Sequence, residues 1–136
     1  MLIKESLLIQ KFNEQKTQYS PILIYGPNEG LVRENFLKIR EIFNQNNTQE
    51  ISFTGKLIND QPEALIDEIR TVSMFSDQKI IIIDQPIDRN IDLFGEAFSV
   101  LPDHTLIIVL ANNLAKTSKI RKFFESSEKY FSCANY

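Results

Sequence analysis

Residues 22–30 are Ile22-Leu23-Ile24-Tyr25-Gly26-Pro27-Asn28-Glu29-Gly30, an apolar run of four residues closed by a turn. The run has the length of a buried strand, and the Gly-Pro pair forces the chain to change direction. Beyond the turn, up to residue 44, apolar residues recur at steps of three and four: Val32, Phe36, Ile39 and Phe43. This spacing predicts a helix. The stretch therefore predicts a buried strand, a tight turn and a helix, the first unit of an α/β fold.

Strands and helices continue to alternate along the chain. Further strands are predicted at 51–53, 80–84, 106–110 and 129–133. The unbroken β-branched run at 80–83 indicates a strand covered on both faces, as in a parallel sheet. Amphipathic helices are predicted from four apolar stripes: Ile3, Leu7, Leu8 and Phe12; Leu65, Ile66, Ile69 and Val72; Ile91, Phe94, Ala97, Phe98 and Leu101; Ile120, Phe123 and Phe124. The pattern predicts a doubly wound, mostly parallel five-stranded sheet with right-handed crossovers.

Composition restricts the possible functions. A chain of 136 residues with 43% hydrophobic residues is the size of one domain, and its net charge of −3 provides no general attraction to nucleic acid or to an anionic membrane. Cys133 and His104 are the only residues of their types, so neither an internal disulfide nor a Cys/His metal cluster can form. The longest apolar run is far too short to cross a bilayer. We therefore expect a cytoplasmic protein without metal or membrane contact.

The turn after the first strand is where an α/β domain of this type would hold phosphate. A phosphate-loop pattern G-x-x-x-x-G-K-[ST] begun at Gly26 places Leu31 at the second glycine, Val32 at the lysine and Arg33 at the hydroxyl. Val32 offers no cation, Arg33 cannot ligate magnesium, and Glu29 adds negative charge where phosphate would sit. We expect a degenerate phosphate loop that binds no cofactor, formed by Gly26, Pro27, Asn28, Glu29, Gly30, Leu31, Val32 and Arg33.

Other positions also lack a catalytic arrangement. Asp84 ends the isoleucine-rich strand but is followed by Gln85, where an ATPase of this type often has a glutamate that activates water. An aspartate at a strand end is more often a turn or cap residue. His104, beside Asp103 in a polar turn, is typical of a solvated turn residue. We therefore expect no enzymatic activity.

Two adjacent large apolar residues, Met74 and Phe75, lie between the hydroxyls of Ser73 and Ser76. We call Met74 and Phe75 the apolar pair. Val72 is predicted to complete the apolar stripe of the preceding helix, and both members of the pair cannot follow it into the core. One interpretation is that one or both fold back under the next strand. The other is that the pair is exposed and fills a pocket on a partner protein.

Three segments in this order resemble the N-terminal domain of the delta subunit of the bacterial DNA polymerase III clamp loader. The resemblance covers nearly the whole chain. The segments are Ile24-Tyr25-Gly26-Pro27-Asn28-Glu29-Gly30-Leu31-Val32-Arg33-Glu34, Ser73-Met74-Phe75-Ser76-Asp77-Gln78-Lys79 and Leu114-Ala115-Lys116-Thr117-Ser118-Lys119.

The resemblance implies a P-loop NTPase/AAA+-like domain that does not hydrolyse ATP, in a complex whose gamma/tau and delta prime subunits are its partners. It implies that the apolar pair, with Ser73 and Ser76, binds the β sliding clamp and helps open the ring. Primed DNA would then be only an indirect partner, reached through the clamp and the loader. Methionine replaces the family's commoner leucine at 74, a swap of similar volume. Residues 1–136 would be a single domain, domain I of delta, with the later domains absent from this chain.

Two other functions stay open at this stage. One is a nucleotide-dependent enzyme with an unusual loop, which the strand, turn and helix around Gly26 and the presence of Asp84 would allow. The other is a receiver-like interaction module, which would need acidic partners for Asp84 at the ends of neighbouring strands. A modest basic face is also predicted near the last helix, where solvated lysines are a commoner explanation than DNA contact: Lys116, Lys119, Arg121 and Lys122.

Overall fold

A six-stranded sheet forms the centre of the computed structural model, which describes residues 1–45, 47–72, 74–99 and 101–136. Its strands are β1 (Leu2–Ile3), β2 (Ile22–Tyr25), β3 (Thr48–Thr54), β4 (Gln78–Asp84), β5 (Thr105–Leu110) and β6 (Phe131–Ala134). The strands lie in the order β1-β6-β2-β5-β4-β3, and every pairing between them is parallel. The doubly wound, P-loop NTPase/AAA+-like α/β class predicted from the sequence is confirmed, with one strand more than expected.

Helices cover both faces of this sheet. They are α1 (Leu8–Asn13), α2 (Glu29–Phe43), α3 (Gly55–Asp60), α4 (Pro62–Arg70), α5 (Ile91–Phe98) and α6 (Lys119–Glu125), with short 3-10 helices at Glu5–Leu7 and Asp88–Asn90. Ile80 and Ile82 pack into a core cluster beneath α1 and α2, whereas Ile81 and Ile83 pack into a second cluster beneath α4, α5 and α6. Successive side chains of a strand point to opposite faces, so the isoleucine run fills both cores.

The start of the chain differs from the prediction. Ile3 lies in β1 and pairs with Cys133 of β6, instead of beginning an amphipathic helix. The α-helix starts only at Leu8, and Leu7, assigned to the apolar stripe, is 42% exposed. The sequence pattern could not reveal this because the free backbone edge of β6 is supplied by a distant segment, and this pairing outweighs a short helical periodicity.

The stripe predicted to include Val72 also ends early. α4 stops at Arg70, Thr71 is extended with ψ 126°, and Val72 is 84% exposed. Smaller differences occur elsewhere. α5 ends at Phe98, so Leu101 lies outside the helix, and α3 was not predicted because its six residues are too short to establish a period.

Among the residues that the structure describes, no helix is both long enough and apolar enough to span a membrane.

Candidate functional site

Gly26 directly follows β2, at the carboxyl edge of the sheet, and is held against the far end of the chain. Its φ is +144°, which side-chain-bearing residues rarely adopt, and its N–H donates to the carbonyl oxygen of Asn112 at 3.2 Å. A Cβ placed on Gly26 would lie 2.0 Å from the carbonyl oxygen of Asn135. The backbone of Asn135 therefore fills the space next to the turn.

Three amides around the start of α2, those of Asn28, Leu31 and Val32, donate to oxygens of the protein itself. The side chain of Asn28 caps α2 by accepting from the N–H of Leu31 at 3.1 Å. The N–H of Asn28 donates to the carbonyl oxygen of Asn135 at 3.4 Å, and that of Val32 to the carbonyl oxygen of Asn28 at 3.0 Å. In a working phosphate loop such amides face the phosphate oxygens. The arrangement seen here closes the turn on itself.

A cavity of about 250 Å³ lies beside the turn, where terminal phosphates and magnesium would be expected. Its lining includes the carboxylates of Glu29 and Asp84 and the guanidinium of Arg33. Two acids against one base oppose the binding of a polyphosphate. Val32, at the position of the phosphate-loop lysine, is buried in the core cluster beneath α2.

Sequence reasoning missed Asn135, which holds this turn closed. The residue is fully buried, and its amide nitrogen donates to the carbonyl oxygens of Tyr25 and Cys133, both at 3.1 Å. Its side-chain oxygen accepts from the amide of Asn35, itself 2% exposed. A polar Asn35 beside Phe36 on the buried face of α2 was the available signal, because buried amides need partners.

The apolar pair lies at the opposite edge of the sheet. It precedes β4, at the amino end of that strand, whereas the turn at Gly26 follows β2 at a carboxyl end. Met74 is 92% exposed and Phe75 is 85% exposed, so neither folds back under β4. Leaving side chains of this size in water forgoes about 1.5–3 kcal/mol each.

Of the two serines that flank the apolar pair, only Ser76 is among the described residues. Ser76 is half-buried and lines a small cavity of about 90 Å³ with Thr71, Val72 and Lys79. Ser73 lies outside the described residues. Adjacent exposed apolar side chains are typical of a surface that binds another protein, and Val72 adds a third such side chain at this site.

Asp84 and His104 lie at opposite ends of neighbouring parallel strands, Asp84 at the end of β4 and His104 just before β5. Asp84 is exposed and pairs in register with Thr54 and Leu110, which carry no acid. His104 is an exposed turn residue with φ +61°, and its N–H donates to the carbonyl oxygen of Thr17 at 2.8 Å.

The predicted basic face needs one correction. Lys116, Lys119 and Lys122 are exposed, but Arg121 is largely buried. Its Nε donates to Oε1 of Glu125 at 2.9 Å, and its guanidinium lies 5.4 Å from the centre of the Tyr25 ring. Burial, together with Glu125, raises the pKa of the Tyr25 phenol to about 12. Arg121 is therefore part of an internal network and is not a solvated surface base.

These features define a class of protein: an AAA+-like, P-loop NTPase-type α/β domain with a degenerate phosphate loop. A family model described as "DNA polymerase III, delta subunit" matches residues 22–134. Because this match covers most of the chain, the chain belongs to the delta subunit family of DNA polymerase III.

A solved structure with a similar fold supports this architecture. The chain is similar to the Bacillus subtilis DNA clamp loader delta protein (YqeN), with a TM-score of 0.60 and 14% identity over 96% of this chain. It spans 42% of that protein's length. A weaker similarity, with a TM-score of 0.47 and 15% identity, links 97% of this chain to 43% of a chain in a structure of Drosophila ORC bound to DNA. No curated protein matches the chain.

Proposed function

We propose that this chain is domain I of a clamp-loader delta subunit, and that it binds the β sliding clamp through Met74 and Phe75. In this role it helps to open the clamp ring for loading onto primed DNA. The gamma/tau and delta prime subunits of the loader are its other proposed partners. Primed DNA is an indirect partner, which the chain reaches only as part of the assembled clamp loader. The proposed location is the bacterial cytoplasm.

The exposure of the apolar pair is the observation that carries this proposal. An aromatic ring and a flexible thioether that stand almost fully in water can both be buried when a partner offers an apolar pocket. Membership of the delta family supports the clamp as that partner. Val72, also exposed, adds apolar surface to the same site.

The proposed role involves no ATP hydrolysis by this chain. Three observations support this: Val32 replaces the lysine, Asn28 and Asn135 engage the amides around the turn, and two carboxylates line the adjacent cavity. The fold would then serve as a scaffold whose working surface lies at the end of α4. The receiver-like alternative loses support because the strand ends beside Asp84 carry Thr54 and Leu110.

Titration of the chain against the β sliding clamp of the same organism tests the proposal. We expect Phe75→Ala to weaken binding by about 2 kcal/mol or more, close to thirtyfold, because hot-spot aromatics lose this much on truncation. Met74→Ala is expected to weaken binding less, since a smaller apolar area is lost.

Leu37→Ala is the matched control, because Leu37 is a partly exposed apolar residue on α2 and its exposed fraction is 38%. It should bind as the unaltered chain does. Unchanged affinity in both Met74→Ala and Phe75→Ala, with both variants folded by circular dichroism, would remove the proposed site.

A further inference from the structure

We propose that Lys79 and Asn47 are positioning residues that hold the backbone on both sides of the apolar pair, at Thr71 and at residues 75–78, and so present the pair to a partner. This inference rests on the clamp-binding function proposed above. It concerns two side chains that donate to backbone carbonyl oxygens, Lys79 to Thr71 and Asn47 to Phe75. Lys79 fixes the backbone before the pair, and Asn47 fixes the backbone at Phe75 and after it; we call the backbone between these two anchors the segment.

Lys79 is an unusual residue for its position. It is the second residue of β4, its side chain is 8% exposed, and it lies on the same face of that strand as Ile81 and Ile83. That face packs beneath α4 and α5. Lysine is rarely buried unless its ammonium is fully partnered, because removing the charge from water is costly.

The partners of Lys79 explain its burial. Its Nζ donates to the carbonyl oxygens of Glu68 and Thr71, both at 2.5 Å, and lies 3.4 Å from Oε1 of Glu68. Carbonyls at a helix C-terminus lack intrahelical donors and carry partial negative charge, so an ammonium there is well placed. Thr71 is the cap of α4 and stands one residue before Val72. Lys79 therefore ties the start of the segment to the sheet.

Asn47 holds the other end of the segment. Its side-chain amide donates to the carbonyl oxygen of Phe75. Its own carbonyl oxygen accepts from the N–H of Asp77 at 2.8 Å and from that of Gln78 at 3.1 Å. These bonds run from the residue before β3 to the residues just before and at the start of β4. The backbone carrying Phe75 is thus bonded to a separate part of the fold.

Anchoring the segment at both ends lowers the conformational entropy that is lost when a partner binds. A loop that is ordered only on binding loses conformational entropy at that moment, and affinity falls accordingly. A loop held at both ends has already lost most of that freedom during folding. Anchoring by Lys79 and Asn47 leaves the apolar side chains in water while restricting the backbone that carries them.

Clamp titration of Lys79→Met and Asn47→Ala tests the inference. Methionine keeps an unbranched side chain of similar length but removes the three donors, and Asn47 is exposed, so its truncation leaves the core intact. We expect each variant to bind the clamp about tenfold more weakly. Lys38→Met is the control, because Lys38 is exposed on α2 in a helical ion pair with Glu34; it should bind unchanged.

A double-mutant cycle separates positioning from a general loss of structure. If Lys79 acts through Phe75, Lys79→Met should cost much less affinity in a Phe75→Ala background than in the unaltered chain. An equal cost in both backgrounds would overturn the positioning role. So would unaltered affinity of Lys79→Met and Asn47→Ala while Phe75→Ala binds weakly, a result that leaves the clamp-binding function standing.

Amide hydrogen exchange of the free chain tests the inference in the absence of the clamp. Amides of residues 74–78 should exchange faster in Lys79→Met and Asn47→Ala than in the unaltered chain, while those of β2 stay protected. Equal exchange of residues 74–78 in all three proteins would overturn the inference even if Phe75→Ala proved to have no effect on clamp binding. Failure of the proposed function and failure of the anchors therefore give different results.

Discussion

Gly26 lets the turn after β2 pack against the backbone near the end of the chain. Its φ of +144° and the 2.0 Å gap between a built Cβ and the carbonyl oxygen of Asn135 leave no room for a side chain. In a working loop, a glycine at this position lets the backbone approach a phosphate. Here it lets the backbone approach the carbonyl oxygen of Asn135, which belongs to the chain itself.

Gly26→Ala should therefore lower the free energy of unfolding by about 2 kcal/mol or more, since an alanine at this φ is strained and its Cβ meets backbone. Urea denaturation monitored by circular dichroism measures the change. The expected result is a lower denaturation midpoint with a similar slope.

Gly30→Ala is the matched control for this prediction. Gly30 lies in the first turn of α2, and the nearest atom to a built Cβ is Oδ1 of Asn28 at 3.7 Å. Alanine is the better helix former, so stability should stay the same or rise by up to about 1 kcal/mol. Equal destabilisation by the two substitutions would mean that the contact with Asn135 is not what requires a glycine at 26.

At the scale of whole elements, the start of α2 determines whether the domain can hold a nucleotide. The N–H groups of Leu31 and Val32 donate to Asn28, and the N–H of Asn28 donates to the carbonyl oxygen of Asn135. A nucleotide would have to displace these bonds and place its phosphates beside Glu29 and Asp84. The dipole of α2 alone is worth at most about 1 kcal/mol at an exposed site, which is too little to offset that loss.

We therefore expect isothermal titration calorimetry with ATP and magnesium to show no binding in the micromolar range. A structurally similar but competent phosphate loop would give a clear saturable signal under the same conditions. Micromolar binding would contradict the closed turn and would revive the nucleotide-dependent enzyme as an explanation of the fold.

The elements also show what the sequence could and could not predict. The strand and helix around Gly26 and the isoleucine run of β4 were evident because their periodicities are long and consistent. β1 was missed because two residues form a strand only through pairing with distant β6. The end of α4 was placed too late, because Val72 continues the apolar period of the helix but lies beyond its cap.

Of the candidate site, the sequence indicated the apolar pair but not the residues that hold the backbone around it and around Gly26. Met74 and Phe75 were found from two adjacent apolar residues at a helix end, although their exposure could not be settled until the end of α4 was known. Asn135 and Asn47 act through backbone contacts with segments far away in sequence. Asn35 beside Phe36 indicates that a buried amide needs a partner, but no local pattern of residue types says which distant residue supplies it, so Asn135 and Asn47 were not predicted.

At the scale of the whole molecule, the closed turn and the proposed clamp-binding site lie at opposite edges of one sheet. Gly26 follows a strand at the carboxyl edge, and the apolar pair precedes a strand at the amino edge. The parallel sheet holds these edges apart. The surface that evolved for nucleotide in a working ATPase of this type is thus separate from the surface proposed to meet the clamp.

The most direct test of this claim uses the two methionines of the chain, Met1 and Met74. Met74 is almost fully exposed in the apolar pair, whereas Met1 is partly buried against the core cluster beneath α1 and α2. Labelling both with carbon-13 in the ε-methyl group gives a site reporter and an internal control.

The measurement is the methyl spectrum of the chain during titration with the β sliding clamp. We predict that the Met74 signal shifts as its methyl enters an apolar pocket while the Met1 shift stays constant. A Met74 signal that keeps its shift in the clamp-bound chain would contradict the account.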